Sequence, residues 1–413
     1  MAVEGWQKTT LGDLCKIAGG SGFSIKYQGR EDLPIPFIKV SDMNLKGNET
    51  YIHRAVNTVD ENLLKQIKAK KFPINTLVFP KVGAALLTNK RRLLSKPSAV
   101  DNNIMALLPK MMDYEYLYQW SLTLDLAEYV QSGAVPSVNQ STLSNIEIDL
   151  PPLPEQKKIA EVLGSVDEAI AKTEAVIEQT QRVKQGLLQQ LLTRGIGHTK
   201  FKQTELGEIP ESWEVVEGEK LFKLGGGHGP KDVDFDDNGE QLFLKVDDFN
   251  SPENADGIIT AKLRFNKDKQ KKRLNLYEKG VLVFPKRGAA IFKNRMQVLK
   301  ERATVDPNLM CLNAFGINAK FLMEYMLNVG LYNFSDNSGV PQLNNKHLYP
   351  MSFPVPSIAE QKEIVGIIEC ISQSLFSNQK KLEQLITLKK GLMFDLLTGQ
   401  VRVNVDDVRE EAA

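Results

Sequence analysis

The chain has 413 residues, 42% hydrophobic and 25% charged, which leaves room for two or three domains and reads as a soluble globular protein. Its three cysteines, Cys15, Cys311 and Cys370, are scattered and odd in number, which excludes a disulfide framework and suggests a reducing, cytoplasmic setting. No apolar run is long enough to span a bilayer, and Met1-Ala2-Val3-Glu4 does not open a signal peptide.

In chain order, residues 1–150 are short apolar segments broken by Gly, Pro, Asn and Asp. Pro36-Phe37-Ile38-Lys39-Val40 reads as a strand, and Met112 to Val130 as a helix packed on strands. Gly19-Gly20-Ser21-Gly22 follows the apolar stretch Leu14 to Ile17. It lacks a P-loop ending and dinucleotide spacing, so a tight turn is preferred to a phosphate loop.

Leu150-Pro151-Pro152-Leu153-Pro154-Glu155 then stops one element and starts another: Pro154 suits a first helical turn and Glu155 complements the helix dipole. From there Ile159, Leu163, Val166, Ile170, Thr173, Ile177, Thr180, Lys184, Leu187 and Leu191 recur in steps of four and three. That period predicts a coiled-coil seam on a helix about 60 Å long, ending at Thr193-Arg194-Gly195.

Residues 201–350 repeat the first module, and 351–413 repeat the helix before a short tail. From Val78 to Thr193 an offset of 205 lands on each counterpart: Val78-Phe79-Pro80-Lys81 returns as Val283-Phe284-Pro285-Lys286, and Glu155-Gln156-Lys157 as Glu360-Gln361-Lys362. Leu242 to Val246 and Val281 to Phe284 read as strands, Ala319 to Leu331 as a helix, and Gly225-Gly226-Gly227-His228-Gly229 as the repeated turn. The second seam is Ile364, Ile368, Ile371, Leu375, Asn378, Leu382, Leu385, Lys389, Leu392 and Leu396. A duplication this long is no solenoid unit. The expected fold class is α+β: two mixed α/β modules separated by an antiparallel two-helix coiled coil with pseudo-two-fold symmetry. The polar seam residues Thr173, Lys184, Asn378 and Lys389 either set register or meet another subunit.

The net charge of +1 hides basic clusters at Lys65 to Lys71, Lys90 to Arg92 and Lys262 to Arg273. Any one reads as a solvated face; their presence in both halves shifts the balance toward phosphate contact. No pair of the four histidines, His53, His198, His228 and His347, has metal-ligand spacing. There is no nucleophile elbow, methyltransferase cofactor loop or nuclease carboxylate cluster, and Asp101 and Asp306 read as turn residues.

The order module–helix–module–helix, carried by Leu153 to Ile159, Lys184 to Thr193, Ser357 to Ile364 and Lys389 to Thr398, resembles the specificity subunit of type I restriction-modification systems. The resemblance spans the whole chain; one departure is Pro356-Ser357-Ile358-Ala359-Glu360 where the first copy has Pro152-Leu153-Pro154-Glu155. It implies a non-catalytic subunit whose target recognition domains (1–150 and 201–350) each read half of a split site in double-stranded DNA. The helical regions (151–200 and 351–413) would set the gap and dock two modification subunits, and through these two restriction subunits. This chain would bind no cofactor; S-adenosylmethionine, ATP and Mg would belong to the partners. The competing readings are a protein-interaction scaffold with two modules on a rod, and a self-contained DNA-modifying enzyme.

If the modules read unlike half-sites, positions identical in both carry the fold or phosphate contacts. Lys39/Lys245 and Lys81/Lys286 are such pairs, each equally readable as a solvated lysine. Neighbouring positions that differ are the specificity candidates: Val82/Arg287, Thr88/Lys293, Arg91/Met296 and Arg92/Gln297. Asn89-Lys90 and Asn294-Arg295 complete the candidate DNA-binding set, with the asparagines also readable as turn residues.

Overall fold

The computed structural model describes residues 3–131, 133, 135–336 and 340–405, so the tail after residue 405 and the first two residues lie outside the described residues. Contacts divide the chain into two units: Met1–Glu174 with Lys380–Ala413, and Ala175–Gln379. Each holds one module together with the start of one long helix and the end of the other.

The first unit contains β1 (Gln7–Thr10), β2 (Cys15–Gly19), β3 (Ile35–Ile38), β4 (Leu77–Pro80), β5 (Ser98–Val100) and β6 (Ile104–Pro109). Helix α1 (Tyr114–Ser121), β7 (Glu147–Leu150) and the start of α2 (Leu153–Thr193) follow. The main sheet runs β2-β6-β4 antiparallel and continues into Arg92–Leu94 and Tyr51–Ile52. A second sheet pairs β3 with β5 in parallel, and β1 pairs antiparallel with β7.

All four residues of β4 are buried because both faces of its sheet are covered. Leu77 and Phe79 join a core with Tyr116, Leu117 and Trp120 of α1, whereas Val78 faces another with Ile38, Val100 and Ile104. Side chains alternate along a strand, so a strand covered on both faces must be apolar at every position.

The second unit repeats this plan with β8 (Glu214–Glu217), β9 (Phe222–Gly226), β10 (Gln241–Leu244), β11 (Leu282–Pro285), β12 (Ala303–Val305) and β13 (Leu309–Ala314). Helix α3 (Ala319–Val329), β14 (Ser352–Val355) and the start of α4 (Ile358–Leu397) complete it. The sheet order is β9-β13-β11 followed by Gln297–Val298; β10 pairs with β12 in parallel, and β8 with β14 antiparallel. Leu282 and Phe284 pack with Phe321 and Leu322 of α3, and Val283 with Leu244, Val305 and Leu309.

Within each unit the long helices pair antiparallel. Ile159 and Leu163 near the start of α2 share a core with Leu396 and Leu397 at the end of α4; Leu191 and Leu192 share one with Ile364 and Ile368. No residue of either predicted seam is exposed. The seam lysines have acids nearby: Lys389 Nζ lies 2.5 Å from Asp167 Oδ1, and Lys184 lies within electrostatic reach of Glu324 on α3. Burial raises the Glu324 carboxyl above its ordinary range, Lys184 opposes the rise and Glu369 adds to it. Gly195 and Gly399, with φ of 65° and 70°, follow the helix ends in the left-handed conformation that glycine adopts without strain.

The differing openings Leu153-Pro154 and Ile358-Ala359 start their helices at equivalent places, because the residues after them hold the position. Gln156 Oε1 accepts from Asp113 N at 2.8 Å while its Nε2 donates to Pro151 O; Gln361 repeats this with Asn318 N at 2.7 Å and Pro356 O. Beside them, Glu155 accepts from Trp6 Nε1 at 3.1 Å and from Arg402 Nε and Nη2 at 2.6 and 2.8 Å. Glu360 accepts from Trp213 Nε1 at 3.0 Å and Ile196 N at 3.1 Å, and its Oε1 lies 2.8 Å from His198 Nε2. Helix starts bear unpaired N–H groups, where a carboxylate is electrostatically favoured. The repeated Glu-Gln thus ties each module, and the chain beyond the opposite helix end, to the helix start.

Candidate nucleic-acid interface

The turn after β4 and its twin after β11 share the same backbone hydrogen bonds. Lys81 N donates to Asn103 O and Lys286 N to Asn308 O, both at 2.8 Å. The next residues, Val82 and Arg287, bridge to Ser137 and Gln342. Gly83 and Gly288, at φ 72° and 64°, then donate to Pro136 O and Pro341 O. A short 3-10 helix, Leu86–Thr88 in the first module and the longer Gly288–Lys293 in the second, ends at Asn89 and Asn294, both left-handed at φ 54° and 48°. Asparagine tolerates that conformation, and the side chains lock it. Asn89 Oδ1 accepts from Leu126 N and Asn294 Oδ1 from Leu331 N, both at 2.9 Å.

The repeated glycines cross the ends of β5 and β12. A Cβ at Gly20 would lie 2.2 Å from Asp101 O, and one at Gly227 only 1.7 Å from Val305 O. Steric contact with backbone therefore requires these two glycines, whereas a Cβ at Gly22 would meet nothing. Lys81 Nζ and Lys286 Nζ lie against the preceding glycines, 3.0 Å and 3.6 Å from where a Cβ of Gly19 or Gly226 would stand. Burial and the neighbouring Arg287 push the Lys286 ammonium below its ordinary range, with Asp306 opposing. Asp101 and Asp306 close turns, Oδ1 accepting from Asn103 N and Asn308 N at 2.8 and 2.7 Å.

The remaining candidates separate by what their side chains already hold. Arg91 is 1% exposed, and its guanidinium donates to Asn89 O and Leu124 O at 2.7 and 2.6 Å. Burial pulls its pKa down to about 10; Arg91 is committed to the core, as is Met296 at its counterpart. Arg92 donates to Met43 O at 3.1 Å and Gln297 to Asn254 O at 2.7 Å, each bracing the turn after β3 or β10. Lys90 bonds Asn44 Oδ1, and Arg295 bonds Asn250 Oδ1 at 2.7 Å, the same brace in the two modules. Lys39 Nζ donates to Gln28 Oε1 at 2.8 Å. Among the described residues, the side chains of Lys81, Lys245, Lys286, Arg287 and Lys293 hold no hydrogen-bond or ion-pair partner.

Sequence reading missed the exposed Phe292, stacked on Tyr332 at 4.6 Å between centroids. Its counterpart is Leu87, so aromatic character appears only on alignment of the copies. It also missed Trp6, Trp213, His198 and Arg402, which lie outside the strictly repeated stretch. Each turn thus presents an uncommitted lysine over bare glycine backbone, with a side chain beside it that differs between modules. Such a corner can approach a phosphodiester closely while the neighbouring side chain faces something sequence-dependent. No helix among the described residues is long and apolar enough to cross a membrane.

Residues 3–182 match the type I restriction modification DNA specificity domain. The chain is 29% identical to the type I restriction enzyme MjaVIII specificity subunit of Methanocaldococcus jannaschii, over 71% of this chain and 72% of that one. The MjaIX specificity subunit of the same organism is 23% identical over 96% of this chain and 94% of its own. The solved type I S subunit from M. genitalium shares the fold with a TM-score of 0.57 at 14% identity, covering 95% of this chain and 96% of that one. Residues 3–182 therefore carry a type I restriction modification DNA specificity domain, and the chain as a whole is similar in sequence and fold to type I restriction specificity subunits.

Proposed function

We propose that each module reads one half of a bipartite site in double-stranded DNA, that the paired helices set the spacer between the halves, and that they dock two methyltransferase subunits. Restriction subunits join through these, and S-adenosylmethionine, ATP and Mg belong to the partners. Assembly of this kind takes place in the cytoplasm, with the host DNA. The observation that carries the reading is the shared turn after β4 and β11. It holds Lys81 and Lys286 over glycine in both modules while presenting Val82 in one module and Arg287 in the other. An invariant cation suits the phosphate, which carries no sequence, and a variable neighbour suits the base edge.

The test compares Lys286→Ala with Arg287→Ala in the assembled complex, against cognate and single-mismatch duplexes across salt. Lys286→Ala should weaken all duplexes alike and reduce the salt slope by about 0.9, one phosphate contact. Arg287→Ala should relax one base position, worth about 1–3 kcal/mol of discrimination. Uniform weakening by Arg287→Ala would remove its base-reading role. Mapping of methylated positions in host DNA tests the larger claim, which expects a split site with two unlike halves.

A further inference from the structure

The second module carries a feature that the first lacks. Asp232, Asp234 and Asp236 alternate with Val233, which is buried, and Phe235, whose ring meets Phe243 edge-on at 5.1 Å. This extended stretch bridges to Phe265 on the strand Leu263–Phe265. Alternation from Val233 to Asp236 turns Asp234 and Asp236 to the face opposite the apolar side chains, roughly 7 Å apart at strand rise, and Asp232 precedes them at the end of the short helical turn Pro230–Asp232. Each meets a lysine of the following loop: Asp236–Lys269 at 2.8 Å, Asp234–Lys271 at 3.6 Å and Asp232–Lys272 at 2.6 Å. The lysine side chains are 68%, 86% and 69% exposed. Exposed pairs of this kind are individually weak and readily exchanged.

The loop does not depend on them for attachment. Gln270 Oε1 accepts from Asp234 N, and its Nε2 donates to Asp234 O, both at 2.9 Å. The loop also walls an open cleft of about 670 Å³ against Gly225, into which Lys267, Arg273 and the opposing Asp268 project without ion-pair partners among the described residues. In the first module the corresponding stretch, placed by the pairing of Val59 with Ile35 and of Phe265 with Gln241, is instead the short helix Glu61–Gln66.

We propose that Lys269, Lys271 and Lys272 form a phosphodiester-binding edge of the second module, occupied at rest by its own aspartates and handed over to the DNA backbone on binding. This rests on the DNA-reading function above and adds a site to it. The exchange is carboxylate for phosphate on the same ammonium groups, with Gln270 holding the loop in place throughout. It also accounts for a near-neutral chain gripping a polyanion: the cations are present but internally offset until DNA arrives.

The experiment measures binding of the full-length chain to a fluorescent duplex of arbitrary sequence across a salt series. Asp236 is left intact because it also accepts from Asn238 N and Asn266 Nδ2. D232N/D234N should tighten binding about 2- to 30-fold, the worth of two exposed ion pairs relieved of competition. K271Q/K272Q should weaken binding and make the salt slope shallower by about 1.8, two phosphate contacts. K271R/K272R should keep the wild-type slope, which separates charge from folding. Unchanged or weaker binding by D232N/D234N, or an unchanged slope in K271Q/K272Q, overturns the proposal. A wild-type chain whose duplex binding is insensitive to salt would instead remove the DNA-reading function beneath it.

Discussion

Replacing Arg402 with alanine should destabilise the first unit far more than a surface arginine usually does. The Glu155 side chain is only 4% exposed, and Arg402 supplies two of its three hydrogen bonds. Removing one partner of a buried ion pair typically costs about 3–5 kcal/mol, because the other charge is left without compensation. The Arg402 side chain is 45% exposed, so water reaches part of the site and the cost should fall to roughly 1.5–3 kcal/mol. For a unit of this size that lowers the melting midpoint by roughly 3–12 °C. The counterpart His198→Ala should cost less, about 0.5–1.5 kcal/mol. Glu360 keeps two N–H donors there, Trp213 Nε1 and Ile196 N. Thermal unfolding of both variants, followed by fluorescence and by hydrogen exchange in β1 and β8, gives the comparison. Equal losses, or a larger loss for His198→Ala, would refute the charge-assisted account of the Arg402 clasp.

Glu324→Gln should flatten the pH dependence of stability in the second unit. Burial raises the Glu324 pKa in the folded state, so its favourable contribution is present at acidic pH and is lost as pH rises through the raised value. Wild type should therefore lose stability relative to the variant between acidic and neutral pH, a trend that denaturant titrations can detect or exclude. Gln119 occupies the equivalent place in the first unit and donates to Asp167 at 2.7 Å, so glutamine fits the position. Gly227→Ala should cost about 1–3 kcal/mol through forced backbone movement, while Gly22→Ala should stay within about 0.5 kcal/mol of wild type. Equal stability of the two glycine variants would show that the crossing is not sterically closed. Adding or removing whole turns in Lys172 to Gln185, with the matching stretch of the other helix, should change the methylation spacer and leave the half-sites alone. An unchanged spacer in a folded variant would reject the helices as the ruler.

What the sequence determined by itself was whatever has a period or a copy. The continuous runs at Leu77–Pro80 and Leu282–Pro285 announce doubly covered strands, because such strands must be apolar throughout. The 3.5-residue seam announces paired helices, because only one stripe of each can be hidden. The constant offset announces two like modules. Tertiary structure alone decided which cations are free. Lys90, Arg91 and Arg92 read as a basic cluster in the sequence and Arg295 as the counterpart of Lys90, yet folding sends their hydrogen bonds to carbonyls and asparagines brought from distant segments. The basic run from Lys267 to Arg273 likewise looks uncompensated until Asp232, Asp234 and Asp236 are brought against it. Local pattern records burial because burial follows the element's own period. Charge pairing depends on which remote side chains share a surface, and that is settled only when the chain is folded.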